Sequence, residues 1–196
     1  EAGRAHSRLL AAHPPIQRPP NGLPLDATMA AGRALRTSTV AKGAWTSPWL
    51  GLAASIPPGF TAEPDDEQAM VTVQDVSRGA IAMVQLVSEP FSAAGVQAAY
   101  DASKAGLQQA VAGGVRVTDL AVQSVDLGWG RAERRSFDFT VGAVSGRTSV
   151  YAVPWCDARA WLMVSTSATD PAVRPVLDGF VASLRREGSP HACSAP

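Results

Sequence analysis

The chain has 196 residues, of which 46% are hydrophobic and 17% are charged, and its formal net charge is zero. This length and composition suit one globular domain with some additional chain, and they exclude a protein that is disordered or fibrous throughout. The lack of net charge argues against nucleic acid and anionic membrane surfaces as partners. The most apolar stretch, residues 81–87, is too short to cross a bilayer as a helix. Any membrane association would therefore be made through a partner protein.

Residues 1–45 are predicted to form a long, irregular arm rich in Pro and Ala. They contain two Pro pairs, an Asn-Gly step and two weak helical patterns, at residues 5–12 and 26–35. Such a segment buries too little apolar surface to fold alone, so we expect it to lie either on its own domain or on a partner. The arm residues expected to contact a partner are Pro14, Pro15, Ile16, Pro19, Pro20 and Leu23.

A folded domain is predicted over residues 46–186, followed by a tail over residues 187–196. Its first strand is expected to end at the Pro57-Pro58-Gly59 turn. The acidic residues 63–68 are expected to form a loop. Residues 71–76 and 79–87 are predicted as the two strands of a hairpin.

The next predicted element is an amphipathic helix between Ser92, which can cap its N-terminus, and the Gly113-Gly114 pair, which can end it. We expect this helix to lie on a sheet. Its apolar face would be formed by Val96, Tyr100, Leu107 and Val111.

Four more strands are predicted, and the short connections between them favour an antiparallel meander. They lie at residues 115–125, 131–141, 147–153 and 160–167. Asp170 and Pro171 then begin a second helix, whose last turn is expected to contain Arg185 and Arg186 before Gly188 ends it. The predicted fold class is therefore α+β, with an antiparallel sheet of about six to seven strands flanked by two helices.

The sequence offers little catalytic chemistry. The three histidines, at positions 6, 13 and 191, lie in the arm or the tail, so the predicted domain has no imidazole to act as a general base. No Cys or His cluster has the spacing of metal ligands, and Asp65-Asp66-Glu67 lacks the pattern of a calcium loop. No Gly cluster follows a strand and opens a helix as a phosphate-binding loop does. We therefore predict that the protein is not an enzyme and uses no metal or cofactor.

Three residues of the domain are candidate contacts for a partner. Arg134 shares the polar face of strand 131–141 with Asp138, in either a solvated network or a recognition surface, while the Phe face of the strand points inward. Trp129 and Trp155 lie at predicted turns, where they would either anchor a partner or plug the ends of the core.

The two cysteines leave two interpretations open. Cys156 and Cys193 could form a disulfide that ties the tail to the turn at residues 155–159, or they could be separate thiols in a reducing compartment. The chain starts at Glu1, which is compatible with removal of a targeting segment and equally with a start further upstream. The cell envelope or export is slightly favoured over the cytoplasm.

Several segments together carry a resemblance to a known family. They are Ile56-Pro57-Pro58-Gly59-Phe60, Tyr100 and Leu107 of the central helix, residues 130–139 (GRAERRSFDF) and 160–168 (AWLMVSTSA), and residues 180–185 (FVASLR) of the closing helix. Over about residues 48–186 the chain resembles the PsbP-like superfamily, which includes photosystem extrinsic subunits, a Ran-binding nuclear protein, DcrB-type proteins, Eag chaperones of type VI secretion effectors and actinobacterial lipoproteins.

The resemblance implies an antiparallel sheet between helices that serves as a platform for binding proteins, without a shared enzyme chemistry. It supplies no functional residues, because no functional motif of the family maps onto this chain. The leading hypothesis is an accessory subunit of a multi-subunit complex, with the arm and a sheet face contacting partner proteins. The alternatives are a chaperone or adaptor that holds an apolar client segment, and a small lipid or ligand carrier, which requires an enclosed apolar cavity.

Overall fold

The computed structural model describes residues 37–110 and 114–193. The six predicted arm contacts lie outside these residues, as do Val111 and Gly113 of the predicted first helix. Within the described ranges the chain forms two antiparallel sheets and two α-helices. The α+β class with antiparallel strands and two helices is thus confirmed.

The larger sheet has eight strands. In spatial order they are β4 (Thr61–Asp65), β5 (Met70–Asp75), β6 (Ala80–Val87), β11 (Ala160–Ala168), β10 (Val144–Trp155), β9 (Arg131–Val141) and β7 (Arg116–Asp119), with β8 (Gln123–Asp126) also paired to β9.

Two expectations about the strands of this sheet need correction. Residues 63–68 are not wholly a loop, because Thr61–Asp65 pair with β5 as an edge strand, where Pro64 is tolerated. The predicted strand 115–125 is two strands, which pair with successive parts of β9.

The smaller sheet has four strands in the order β1 (Thr39–Ala41), β2 (Ala44–Ser47), β3 (Leu52–Ser55) and β12 (Arg185–Arg186). Strand β1 and the start of β2 lie on residues that the sequence analysis assigned to the arm. A tight turn joins these strands, with Lys42 and Gly43 at φ of 51° and 73°. Trp45 in β2 is completely buried, so this segment is held on the domain by core packing.

The two α-helices are α1 (Ala93–Ala110) and α2 (Arg174–Ser183), the second preceded by a 3₁₀ turn at Pro171–Val173. Ser92 caps α1 as predicted, because its Oγ accepts a hydrogen bond of 3.1 Å from the backbone N–H of Gly95. The expected continuation of α2 to Arg186 is wrong. Leu184 has extended backbone angles, φ −58° and ψ 134°, and Arg185 and Arg186 instead pair with β3.

The helices cover opposite sides of the large sheet. Tyr100 of α1 packs with Phe137 and Val150, so the Phe face of β9 points inward as predicted. Val96 of α1 packs with Ala152 and Trp161. On the other side, α2 and the smaller sheet share one apolar core with the large sheet. That core includes Trp45, Leu52, Val71, Val73, Val84, Tyr151, Leu162, Leu177 and Phe180. Among the described residues, the α2 side is therefore covered by a helix and a second sheet, whereas the α1 side is covered by one helix.

A disulfide bond joins Cys156, at the turn between β10 and β11, to Cys193 near the end of the described chain. Its S–S distance is 2.06 Å, and the two cysteines are 37 residues apart. The guanidinium of Arg159 donates hydrogen bonds to the carbonyl oxygens of both cysteines, each at 3.2 Å. The bond thus fixes the C-terminal segment to the end of the β10–β11 hairpin.

We expect the double variant Cys156→Ser/Cys193→Ser to be less stable than the oxidised wild type by about 2–4 kcal/mol, because opening a loop of this length restores entropy to the unfolded chain. Guanidinium unfolding followed by tryptophan fluorescence measures the difference. Reduced wild type is the control and should unfold with the variant. Equal midpoints for oxidised and reduced wild type would contradict a stabilising bond.

Two glycines give a matched test of the packing. A Cβ on Gly146 in β10 would overlap the ring of Phe139 and lie 2.9 Å from the carbonyl oxygen of Ala168, whereas a Cβ on Gly106 in α1 would meet no atom within 4 Å. We expect Gly146→Ala to destabilise the fold by about 1–3 kcal/mol through overpacking. Gly106→Ala should stabilise it by about 0.5–1 kcal/mol through helix propensity. Chemical unfolding measures the change in the free energy of unfolding for each variant. Changes of the same sign in the two variants would contradict this packing.

Candidate functional site

On its α1 side, the described residues cover the large sheet over only part of its width. The register shows this along one row of paired residues, Thr72, Met83, Ser165 and Val150, which point to the same side because they are directly opposite one another. Val150 is buried in a cluster with Tyr100 of α1. Thr72, Met83 and Ser165 are half-buried, and none belongs to the apolar clusters of the described chain.

We call this uncovered region the open face. It consists of Met70, Thr72 and Gln74 of β5, Ile81, Met83 and Gln85 of β6, and Ser165 and Ser167 of β11. The side chain of Ile81 is 41% exposed. None of the eight side chains carries a charge. The nearest acidic side chains in register are Glu63 and Asp65, on the edge strand β4. The open face is therefore an uncharged surface of mixed aliphatic and small polar groups.

The flank of α1 next to the open face carries small side chains. At 100° per residue, Gln97 and Lys104 project from the opposite flank, and their contacts with Arg135 and Asp119 place that flank over β9 and β7. The flank toward β11 is formed by Gly95, Ala99, Ala102 and Gly106. Only small side chains of the helix therefore border the open face, and they leave room for a molecule that lies on it.

A second site lies on the other side of the sheet, between β9, β10, β11 and α2. Arg134, Arg147 and Arg174 line a cavity of about 50 Å³ together with Ser149, Thr166, Ala168, Leu177 and Asp178. We call the three arginines, with Asp138 and Asp178, the arginine cluster. Arg147 donates two hydrogen bonds to Asp138, at 2.7 and 3.0 Å. Asp178 accepts a hydrogen bond of 3.0 Å from the Tyr151 hydroxyl and lies 3.9 Å from Arg134 Nη2.

The electrostatics of the cluster follow from these contacts. The hydrogen bonds from Arg147 hold the pKa of the Asp138 carboxyl below its ordinary value, and the positive charges of Arg147 and Arg174 act in the same direction. Burial raises the pKa of the Tyr151 hydroxyl, and the nearby Asp178 adds to this effect. The cluster therefore combines three guanidinium groups with two carboxyl groups beside the buried Tyr151 hydroxyl.

The structure gives the predicted contact residues of the domain different environments. Trp129 and Trp155 are 8% and 1% exposed, and their rings meet edge to face at 6.3 Å. The indole N–H of Trp129 donates a hydrogen bond of 3.2 Å to the carbonyl oxygen of Val181. The expectation of exposed aromatic anchors is therefore corrected. Both tryptophans are buried in the core, which is the second of the two alternatives given by the sequence.

Arg134 was predicted on a polar strand face, and its side chain is 23% exposed. It lies 5.3 Å from the ring centroid of Tyr151 and donates a hydrogen bond of 3.3 Å to Ser149 Oγ. Sequence reasoning missed Arg174, and it expected a sheet face to contact a partner without identifying the residues of the open face. Both depend on packing between elements distant in sequence, which local periodicity does not reveal.

Within residues 37–110 and 114–193, no helix has the length and apolar character needed to cross a membrane. In the same ranges, no three His, Cys, Asp or Glu side chains come together in a way that could hold a metal ion.

No protein-family model and no curated protein matches the sequence. Solved structures do match. The solution structure of the PsbP protein CyanoP of Synechocystis sp. PCC 6803 aligns with a TM-score of 0.52 at 13% identity, over 76% of this chain and 98% of that chain. This chain has the PsbP-like fold.

Two other structures align with TM-scores of 0.48. The Saccharomyces cerevisiae Ran-binding protein Mog1p is 12% identical over 76% of this chain and 94% of that chain. A Bacteroides thetaiotaomicron protein is 7% identical over 78% of this chain, and the aligned part spans 48% of its length. At these identities the likeness concerns the fold alone. The alignment with CyanoP confirms the PsbP-like resemblance of the sequence at the level of the fold.

We expect NMR titration to give Asp138 a carboxyl pKa below the ordinary value, and Arg147→Gln to raise it toward that value. Because the folded-state pKa is lowered, the contact stabilises the protein above about pH 4, and this contribution is lost as the pH falls through the folded pKa. Arg131→Gln on the same strand, whose exposed side chain bonds Ser124, is the control and should leave the Asp138 pKa unchanged. An unchanged pKa in Arg147→Gln would contradict the assigned cause.

Proposed function

We propose that this chain is a non-enzymatic, protein-binding accessory subunit of a larger assembly, and that the open face contacts the partner protein. The observation that carries the proposal is an uncharged sheet face left uncovered by α1. On the opposite side, a helix and a second sheet cover the corresponding strands. Among the residues that the structure describes, one face of these strands is covered and the other is left partly uncovered, which makes the open face available for another molecule.

The composition of the open face suits a protein interface. The centres of such interfaces are depleted in charged residues and enriched in Met. Met83 lies within the open face, and Met163, in register with Gln85, packs at the border with α1. Met side chains adapt to the shape of a partner because they are unbranched and polarisable. Ile81, half exposed in the sheet, would gain hydrophobic stabilisation on burial.

The occupant that fits this surface is an uncharged segment of a partner protein rich in aliphatic side chains. Charged segments would lose their hydration against these eight uncharged side chains without gaining an ion pair. The small residues on the flank of α1 allow such a segment to approach the sheet closely. Addition of a partner strand at the β4 edge is less suited, since Pro64 and the acidic Glu63 and Asp65 occupy that edge.

The arm predicted from the sequence is part of the proposal as a second contact. A segment of this composition does not fold alone and needs a surface on which to lie. Its six proposed contact residues all lie before residue 24. A chaperone or adaptor that holds a client segment would use the same open face, and would differ by releasing the segment. The lipid-carrier alternative gains no support from the cavity beside α2, because about 50 Å³ lined by three arginines does not suit an acyl chain.

The proposal is tested by placing the photo-cross-linking amino acid p-benzoylphenylalanine at position 83 of the full chain, in its own cells. We expect one defined protein to be cross-linked from position 83, and mass spectrometry of the cross-linked peptides to place an uncharged segment of that protein at the contact. Adding Ile81→Arg should reduce the product by at least about tenfold, because it buries an unpaired charge.

Position 182, an exposed Ala on α2 at the opposite side of the sheet, serves as the control site, and Ala182→Arg serves as the control charge. The Ile81→Arg and Ala182→Arg variants should both have the thermal stability of the wild type. Equal cross-linking from positions 83 and 182, or cross-links from position 83 to residues 1–36 of the same chain, would contradict the proposal.

A further inference from the structure

Two arginine side chains of the arginine cluster have buried donors without acceptors. The Nε atoms of Arg134 and Arg174 are shielded from solvent and form no hydrogen bond within the described chain. An arginine carries five N–H donors and no acceptor, and remains charged at all ordinary pH values. A buried donor on a charged group costs free energy unless an acceptor meets it. Since both side chains line one cavity, a single acceptor placed there could serve both.

The charges of the cluster do not cancel. Asp138 is engaged by Arg147 through two hydrogen bonds. Asp178 lies near Arg134 and also accepts from Tyr151. Arg174 forms no ion pair with any residue of the described chain, although its charge contributes to lowering the Asp138 pKa. Three arginines against two aspartates leave an excess of one positive charge at the cavity.

The remaining cavity wall also suits an anion. Ser149 and Thr166 are buried hydroxyl residues that line it. Arg174 and Leu177 bring the first turn of α2 to the same place, and the N-terminal end of a helix carries partial positive charge. A volume of about 50 Å³ accommodates a group the size of a few water molecules. A nucleotide or a sugar is too large to be enclosed there.

We infer that the arginine cluster is a binding site for one small oxyanion, of the size of a carboxylate or phosphate group, held by Arg134 and Arg174. The planar guanidinium matches the paired oxygens of such groups and can donate two parallel hydrogen bonds. Water could satisfy the donors but would leave the excess charge uncompensated. The site lies on the opposite side of the sheet from the open face, so it stands independently of the proposed protein contact.

The test is an NMR titration of the full chain that follows the Nε–Hε signals of its arginines at constant ionic strength. Sodium acetate, sodium phosphate and N-acetylglycine are added in separate arms, and sodium chloride is the reference. We expect saturable shifts of the Arg134 and Arg174 signals with the oxyanions and none with chloride. Arg174→Gln should weaken oxyanion binding by about tenfold or more. Arg131→Gln, outside the cavity on the same strand as Arg134, should bind as the wild type does.

The arms distinguish the source of the anion. Binding of acetate and N-acetylglycine alike would show that the site accepts a carboxylate carried on a longer molecule, and binding of acetate or phosphate without N-acetylglycine would show a site for free ions. Arg174→Lys keeps the charge and loses the planar fork, and its weaker binding is the expected result if Arg174→Gln does not fold. Shifts that do not saturate, equal shifts with chloride, or unaltered affinity in the folded variant would overturn the inference.

Discussion

The structure depends on the burial of both faces of β10, in the hairpin that it forms with β11. Val150 and Ala152 of β10 lie under α1, while Tyr151 and Val153 between them lie in the core shared with α2. Because successive side chains of a strand point to opposite sides, every residue in the middle of this hairpin has a fixed place. A shift of register by one residue would exchange the two cores. The helices, the disulfide and both candidate sites are positioned relative to this hairpin.

The width of the sheet explains the difference between its two sides. An α-helix with its side chains is about 10 Å wide, and neighbouring strands are about 4.8 Å apart, so one helix cannot cover the whole width of an eight-stranded sheet. On the α2 side, the smaller sheet extends the cover to β5 and β6 through residues such as Trp45 and Leu52. On the α1 side no second layer is present among the described residues. The open face is therefore a geometric consequence of one helix lying on an eight-stranded sheet.

Sequence reasoning recovered the features that depend on local pattern. The strand at 131–141, the Ser92 cap and the inward Phe face follow from alternation, capping and apolar periodicity, and the structure contains all three. It failed where contacts between residues distant in sequence determine the structure. Arg185 and Arg186 have a good helical context, yet hydrogen bonds to β3 draw them into a sheet. The arginine cluster joins three separate elements, and the bare region of the sheet follows from the pairing of β6 with β11, so no short stretch of sequence contains either site.

The pairing of β12 with β3 links residues 185–186 to residues 52–53, and Ser183 exchanges hydrogen bonds with the backbone of Ser55. One of the first strands of the domain to leave the ribosome thus has its last partner near the opposite end of the chain. During synthesis, the edge of β3 stays without that partner until almost the whole domain has been made. Completion of the small sheet, and with it the layer that covers β5 and β6, therefore has to wait until residues 185–186 have been synthesised.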